Sequence, residues 1–347
     1  WVADILAPDS ASPGTALETG LKTRKTAVGM LADGRVVRIL LEVAHDHGRT
    51  TGVITTSGLV DATPATFTVH VEWRDDYHEI FEKMLGSGTN LMIGGDWTHF
   101  TKAKKNSAYL DLRGRSEELG QHHGYQVIRD PSSIATAELP LLALFPPRPS
   151  GGNSHGPPLA VSALRAIELL RENPAGFLLL VECEITDEFG HSNDIEEVMN
   201  GMRELNEAVA SVLEATEGHR DTLVVVTADH ETGGLAFQQM GSSRVLTRAA
   251  ATTDSTVAQL TEARGLMDAG LATLADSISG SLRQLSGLLR ERADLMEDST
   301  TLVARYTTGS HTAQMVPLFA SGPGAEAFGG IKENWRIGEL LIAAVKR

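Results

Sequence analysis

Short apolar runs alternate with longer amphipathic segments between residues 36 and 235, and this alternation restricts the possible folds more than any other feature. The runs have the length of buried strands, and the segments between them have the spacing of helices. Strands are predicted at 51–57, 91–95, 141–145, 177–182 and 222–227, and helices at 36–47, 159–172 and 195–217. The pattern is typical of an α/β fold, with a doubly wound, mainly parallel central sheet flanked by helices.

The pattern changes between residues 252 and 298, where a long helical stretch rich in Ala, Leu and Ser contains no strand signal. We interpret this stretch as a helical insertion within one domain that spans residues 1–347, with a role in packing or in an interface rather than in catalysis. After it, a strand is predicted at 315–320 and a final helix at 335–346.

The composition narrows the classes of partner. A formal net charge of -15 disfavours a nucleic acid as specific partner, because its phosphates would need Lys or Arg for neutralisation. Cys183 is the single cysteine, so no disulfide forms within the chain. No apolar run approaches the roughly 20 residues that a membrane-spanning helix needs.

Polar side chains follow several predicted strands at their carboxyl ends, where open parallel sheets bind ligands. Asp187 and His191 are four residues apart, a spacing that lets both face one metal ion from a single helical turn. The other candidates of this kind are Glu182, Asp229, His230, His311, Asp61 and Thr63. Nitrogen and carboxylate ligands suit zinc, whereas the oxygens of Glu182 and Thr63 suit magnesium. A lone histidine near a strand end is more often a hydrogen-bonded residue, so the agreement among several strand ends supports the metal sites.

The segment APDSASPGTALETG predicts that a helix begins just after Ser10, because Ser12-Pro13 reads as a cap followed by the first helical residue. The free amides of such a helix start favour a bound phosphate, and Ser10 would be a nucleophile if zinc held its oxygen. The alternative is that Ser10 only forms a capping turn. Arg74, expected in a helix after DATP, is a candidate fork for two phosphate oxygens, or else an ordinary surface arginine.

Taken in this order, these segments resemble the alkaline phosphatase family over most of the chain outside 252–298. The resemblance rests on PDSAS with the following TAL and TG-KT, on TTSGLVDATPATFTVHVEWR, on VECEITDEFGH and on TADHETGG, a highly specific marker. It implies a hydrolase of phosphate monoesters with two zinc ions and one magnesium ion, in which Ser10 becomes phosphorylated and Arg74 binds phosphate. A homodimer and a periplasmic or secreted location are implied by the family alone.

The resemblance also assigns ligands, residue by residue. It implies Asp187, His191 and His311 for the first zinc ion, Asp229 and His230 for the second, with the Ser10 oxygen beside zinc, and Thr63 and Glu182 for magnesium. Asp61 matches a position next to the magnesium ligands. Glu188 lies where some members carry Lys or His that helps to hold phosphate through water, so an acid there would repel phosphate.

One part of the family pattern has no match. The family's first strand carries an aspartate that bridges zinc and magnesium, and we expect the given sequence to be a fragment or processed chain because no such segment precedes Ser10. Two alternatives stand beside a monoesterase: a phosphodiesterase or sulfatase of the same superfamily, and an inactive metal-binding fragment, which the missing ligand makes plausible. Arg74 favours monoesters, and phosphate monoesters and inorganic phosphate are the expected partners.

Overall fold

The predicted parallel sheet is present in the computed structural model, which describes residues 7–96, 107–146, 156–219, 221–263, 269–294 and 300–347. Within that part of the chain, the sheet comprises β1 (Thr50–Gly58), β2 (Leu91–Gly95), β3 (Gln126–Ile128), β4 (Leu141–Phe145) and β5 (Phe177–Glu182). Its strand order is β3-β4-β2-β1-β5, and all of its neighbouring strands are parallel. The fold class predicted from the sequence is confirmed.

Strands β2 and β4 are apolar throughout because both faces of the sheet are covered there. Met92 and Leu142 pack into one buried cluster, whereas their neighbours Leu91, Ile93 and Leu141 pack into another. Successive side chains of a strand point to opposite faces, so a strand buried on both sides has no polar face.

Helices surround the sheet and also form much of a separate segment. In chain order they are α1 (Ala11–Thr19), α2 (Leu40–Asp46), α3 (Ala62–Thr68), α4 (Tyr77–Gly86), α5 (Ser107–His122), α6 (Leu159–Leu170), α7 (Ile185–Ser192), α8 (Ile195–Thr216), α9 (Ser242–Ala263), α10 (Ala269–Asp294) and α11 (Asn334–Val345). None of the helices in the described ranges is long and apolar enough to cross a bilayer.

The remaining strands pair antiparallel and in twos. They are β6 (Val224–Thr227) with β11 (Leu318–Ser321), β7 (Glu231–Thr232) with β10 (His311–Thr312), and β8 (Ala236–Gly241) with β9 (Thr300–Arg305). The strand predicted at 222–227 therefore exists, but it is hydrogen-bonded to β11 and not to the parallel sheet. The strand predicted at 315–320 begins only at Leu318, since Pro317 has no amide hydrogen to donate to a ladder.

Two predicted helical boundaries differ from the structure. The helix predicted at 36–47 begins at Leu40, because Val36 pairs with Met30 across a tight turn in which Gly34 has a φ of 82°. The helical stretch predicted at 252–298 begins at Ser242 and is flanked by β8 and β9. The chain divides into two compact units, of which Leu235–Tyr306 is one and Trp1–Gly234 with Thr307–Arg347 is the other.

Helix α11 packs closely on α1, the helix that follows Ser10. A side-chain carbon on Gly338 of α11 would lie 2.4 Å from the carbonyl oxygen of Ala16 and 2.6 Å from that of Leu17. These atoms belong to the backbone of α1 and cannot turn aside. The absent side chain at Gly338 therefore sets how closely the two helices approach.

We expect Gly338→Ala to lower the free energy of unfolding by about 1–3 kcal/mol, because the added methyl group forces the helices apart. Gly280→Ala is the matched control, since an added carbon there meets no atom within 4 Å and alanine favours a helix interior. Urea unfolding of both variants measures the difference. A Gly338→Ala variant as stable as the wild type would contradict the proposed close packing.

Candidate active site

Ser10 directly precedes α1, as the sequence predicts, but it does not cap the helix. The carboxylate of Asp9 does so instead, because its Oδ1 accepts hydrogen bonds from the Ser12 amide at 3.2 Å and the Ser12 hydroxyl at 2.8 Å. The Ser10 side chain makes no capping bond. Its Oγ instead lies 3.1 Å from Nε2 of His230.

Asp187, His191 and His311 bring three ligand atoms together. Asp187 and His191 lie on α7, one turn apart, and His311 lies on β10. One ligand atom from each of the three residues lies within 4.8 Å of the others. The two Nε2 atoms of the histidines are 3.0 Å apart, and Asp187 lies 3.4 Å from that of His191 and 3.5 Å from that of His311.

Backbone carbonyl groups determine which nitrogen of the His191 and His311 rings can bind a metal ion. Nδ1 of His191 lies 2.8 Å from the carbonyl oxygen of Gly309, and Nδ1 of His311 lies 2.7 Å from that of Pro8. A carbonyl only accepts hydrogen bonds, so both Nδ1 atoms carry hydrogen and donate it. Two Nε2 lone pairs then face each other and one carboxylate, which is stable only with a cation or a proton between them. This donor set fits zinc.

Without a metal ion, the charges of this group favour protonated histidine. Burial opposes the ionisation of Asp187, but hydrogen bonds from His191, His311 and Thr232 outweigh it and hold its pKa well below the ordinary range. The hydrogen bond to Asp187 raises the pKa of His191 to about 9. The group therefore attracts positive charge, whether it comes from a proton or from a metal ion.

His230 links this group to Ser10. Its Nε2 lies 3.1 Å from Oδ2 of Asp229 as well as 3.1 Å from Ser10 Oγ, and its ring stacks on that of His311 at a centroid distance of 3.5 Å. Burial opposes a charge on His230, but the carboxylate of Asp229 outweighs it and raises the pKa of the ring. The oxygens of Ser10 and Asp229 and the nitrogen of His230 are a second candidate set of metal donors.

Thr232 is a residue that sequence reasoning did not single out. Its hydroxyl donates a hydrogen bond to Oδ1 of Asp187 and lies 3.3 Å from Nδ1 of His230. It thereby orients one residue of each donor set. Its position two residues after His230 in TADHETGG was the signal that could have identified it.

A third group consists of oxygen donors at the ends of β1 and β5. Oε2 of Glu182 accepts a hydrogen bond from the Thr55 hydroxyl at 2.6 Å, and Thr63 also hydrogen-bonds this carboxylate. Burial raises the pKa of Glu182 to about 7. Asp61 Oδ2 lies 3.4 Å from the Ser57 hydroxyl. An oxygen-only group of this kind fits magnesium.

Arg74 lies in a turn and not, as predicted, in the helix after DATP, because α3 already ends at Thr68. Its guanidinium contacts Asp61 at 2.9 Å and Asp9 at 3.6 Å. Burial opposes its charge, but these carboxylates outweigh that effect and raise the pKa of Arg74 above its ordinary value. Asp9 was not predicted, although it stands beside Ser10 in PDSAS. Together the two carboxylates fix where the arginine fork lies.

These groups surround one cavity of about 170 Å³. Its lining consists of Ser10, Asp61, Thr63, Arg74, Glu182, Glu184, Asp187, His191 and His311. His230 adjoins it through its contact with Ser10, and Asp229 contacts His230. Glu188 follows Asp187 on α7 and is not part of the lining. Glu184 does line the cavity, although it was not among the residues predicted from the sequence.

Comparisons with known proteins agree on one family. The sequence matches the family model described as alkaline phosphatase over residues 2–347. It is 28% identical to alkaline phosphatase 4 of Bacillus subtilis (strain 168) over 365 residues, which covers 97% of this chain and 76% of that protein.

Solved structures agree with the sequence comparison. A cold-active alkaline phosphatase from a psychrophilic Shewanella sp. matches with a TM-score of 0.72 and 27% identity, over 99% of this chain and 88% of that one. A mutant of the TAB5 alkaline phosphatase with Mg bound in its M3 site matches with a TM-score of 0.71 and 24% identity, over 99% and 86%. The second likeness concerns the fold alone.

The pKa of His191 predicts how the metal-free protein responds to pH. Because folding raises this pKa from 6.5 to about 9, the stabilisation is fully present below the unfolded value and is lost as the pH rises through about 9. With chelator present, we expect the melting temperature of the wild type to fall more steeply between about pH 7.5 and about pH 9.5 than that of His191→Gln. Parallel melting curves for the two proteins would contradict the interaction with Asp187.

Proposed function

This chain belongs to the alkaline phosphatase family, and on that premise we propose that it hydrolyses phosphate monoesters through a phosphoserine at Ser10, with two zinc ions and one magnesium ion. The observation that carries the proposal is the position of Ser10. Its hydroxyl is not used as a helix cap, lines the cavity and lies 3.1 Å from His230, with Arg74 in the same lining.

The three donor groups fit the proposed metal ions by their chemistry. Asp187, His191 and His311 would hold the first zinc ion. Asp229 and His230, beside the Ser10 oxygen, would hold the second, and Glu182 with Thr63 would hold magnesium. When bound, these ions would supply positive charge against the negative charge that develops on oxygen during phosphoryl transfer.

The residues of the chain then act in two steps. Ser10 Oγ attacks phosphorus, the bond from phosphorus to the alcohol oxygen breaks, and the alcohol leaves. Water next attacks the phosphoserine from the side that the alcohol has left, which releases inorganic phosphate and restores Ser10. Arg74 binds two phosphate oxygens in both steps, because Asp9 and Asp61 hold its fork at the cavity.

Glu188 is proposed to weaken the hold on phosphate. It lies next to Asp187 on α7 and adds a carboxylate where some family members carry a cation. Repulsion between like charges then favours release of the product. A homodimer and a periplasmic or secreted location are further proposals, and they are supported by the family likeness alone.

The nucleophile is tested with Ser10→Ala. We expect turnover of p-nitrophenyl phosphate at alkaline pH, after chelation and restoration of zinc and magnesium, to fall by about 10³-fold or more. Ser132→Ala, which alters an exposed serine, is the control and keeps the wild-type rate. Equal rates for wild type and Ser10→Ala would exclude Ser10 as nucleophile, and a wild type without turnover would leave an inactive metal-binding fragment.

The role of Arg74 separates monoesterase from diesterase activity. Arg74→Lys keeps the positive charge but loses the planar fork, so we expect kcat/KM for p-nitrophenyl phosphate to fall by about 10-fold to 100-fold. Hydrolysis of bis(p-nitrophenyl) phosphate, which has one fewer charged oxygen to bind, falls less. A wild type that prefers this diester, or p-nitrophenyl sulfate, would favour the phosphodiesterase or sulfatase alternative.

A further inference from the structure

Glu184 places a further carboxylate in the cavity, beside those already proposed to bind metal ions. It lies between Glu182 at the end of β5 and Asp187 on α7, and it forms part of the cavity lining. The mechanism above gives it no task. A carboxylate in a cavity that must receive a phosphate needs a physical reason, because the two repel each other.

The backbone of Glu184 is held on both sides. Its amide donates to the Thr56 hydroxyl at 3.0 Å, and its carbonyl oxygen accepts from the amides of Asp187 at 2.9 Å and Glu188 at 3.1 Å. Glu184 precedes α7, yet its side chain makes no hydrogen bond to cap that helix. The carboxylate is therefore directed at the cavity, where the Ser57 hydroxyl hydrogen-bonds it.

The charges around the cavity do not balance without cations. The lining contains the carboxylates of Asp61, Glu182, Glu184 and Asp187, whereas Arg74 is its permanently charged cation and is already paired with Asp61. A divalent cation bound among these four carboxylates would compensate their negative charge.

We propose that Glu184 is an additional oxygen ligand of the magnesium ion that Glu182 and Thr63 would hold. Magnesium in proteins binds through one or two carboxylates and keeps several waters, so a second carboxylate in this cavity matches its preference. The inference rests on the magnesium site of the proposed function. It adds a ligand that the family resemblance does not assign.

Calorimetric titration of the metal-stripped full chain with magnesium chloride, without substrate, tests this assignment. We expect Glu184→Gln, which keeps the size of the side chain and removes its charge, to bind magnesium at least about 10-fold more weakly than the wild type. Glu196→Gln removes the same charge from an exposed site on α8 and leaves the affinity unchanged. Zinc binding by Asp187, His191 and His311 serves as the folding control and stays within about threefold.

A second readout is the melting temperature. Added magnesium is expected to raise the melting temperature of the wild type more than that of Glu184→Gln. An inert side chain at position 184 would leave the two increases equal.

Turnover of p-nitrophenyl phosphate, measured on the same preparations, separates the two proposals. Wild-type turnover together with an unchanged magnesium affinity in Glu184→Gln overturns the role of Glu184 and leaves the phosphatase standing. If the wild type shows no turnover but Glu184→Gln alone loses magnesium affinity, the ligand assignment is supported and the catalytic proposal is overturned. A folded wild type that binds no magnesium overturns the ligand assignment.

Discussion

The charge on Asp187 holds the candidate site together. Its carboxylate accepts a hydrogen bond from Thr232 and attracts the rings of His191 and His311, which come from α7 and β10. Elements far apart in the chain therefore converge on one anion. The carbonyl groups of Pro8 and Gly309 turn the same two rings so that their Nε2 atoms face inward. Any change that removes this charge also removes the reason for the rings to meet.

In the other half of the cavity, one cation is shared by two anions. The guanidinium of Arg74 is the common partner of the carboxylates of Asp9 and Asp61. Asp9 also caps α1 and adjoins Ser10, so the proposed nucleophile and the proposed phosphate-binding arginine share one support. The carboxylates of the cavity outnumber its permanent cations, and this excess by itself would repel a negatively charged substrate. The proposed metal ions would supply the missing positive charge.

The elements predicted best were those whose sequence pattern fits only one kind of secondary structure. The strands at 91–95, 141–145 and 177–182 have the predicted bounds, because an apolar run of that length between polar turns favours a strand in a sheet covered by helices. The predicted helix bounds were wrong where contacts with other segments decide where a helix begins or ends. Val36 continues a helical pattern but joins a hairpin with Met30, and Arg74 follows a helix that ends earlier than expected.

The sequence by itself determined the α/β class and the family, because hydrophobic periodicity and short motifs are local properties of the chain. Only the tertiary structure decided that β6 pairs with β11, that Asp9 shares Arg74 with Asp61, and that Glu184 faces the cavity. Each of these depends on contacts between segments distant in sequence, or on the direction of one side chain. Local patterns do not encode such contacts, since their free energy arises only when the folded chain brings the charges and the backbone groups together.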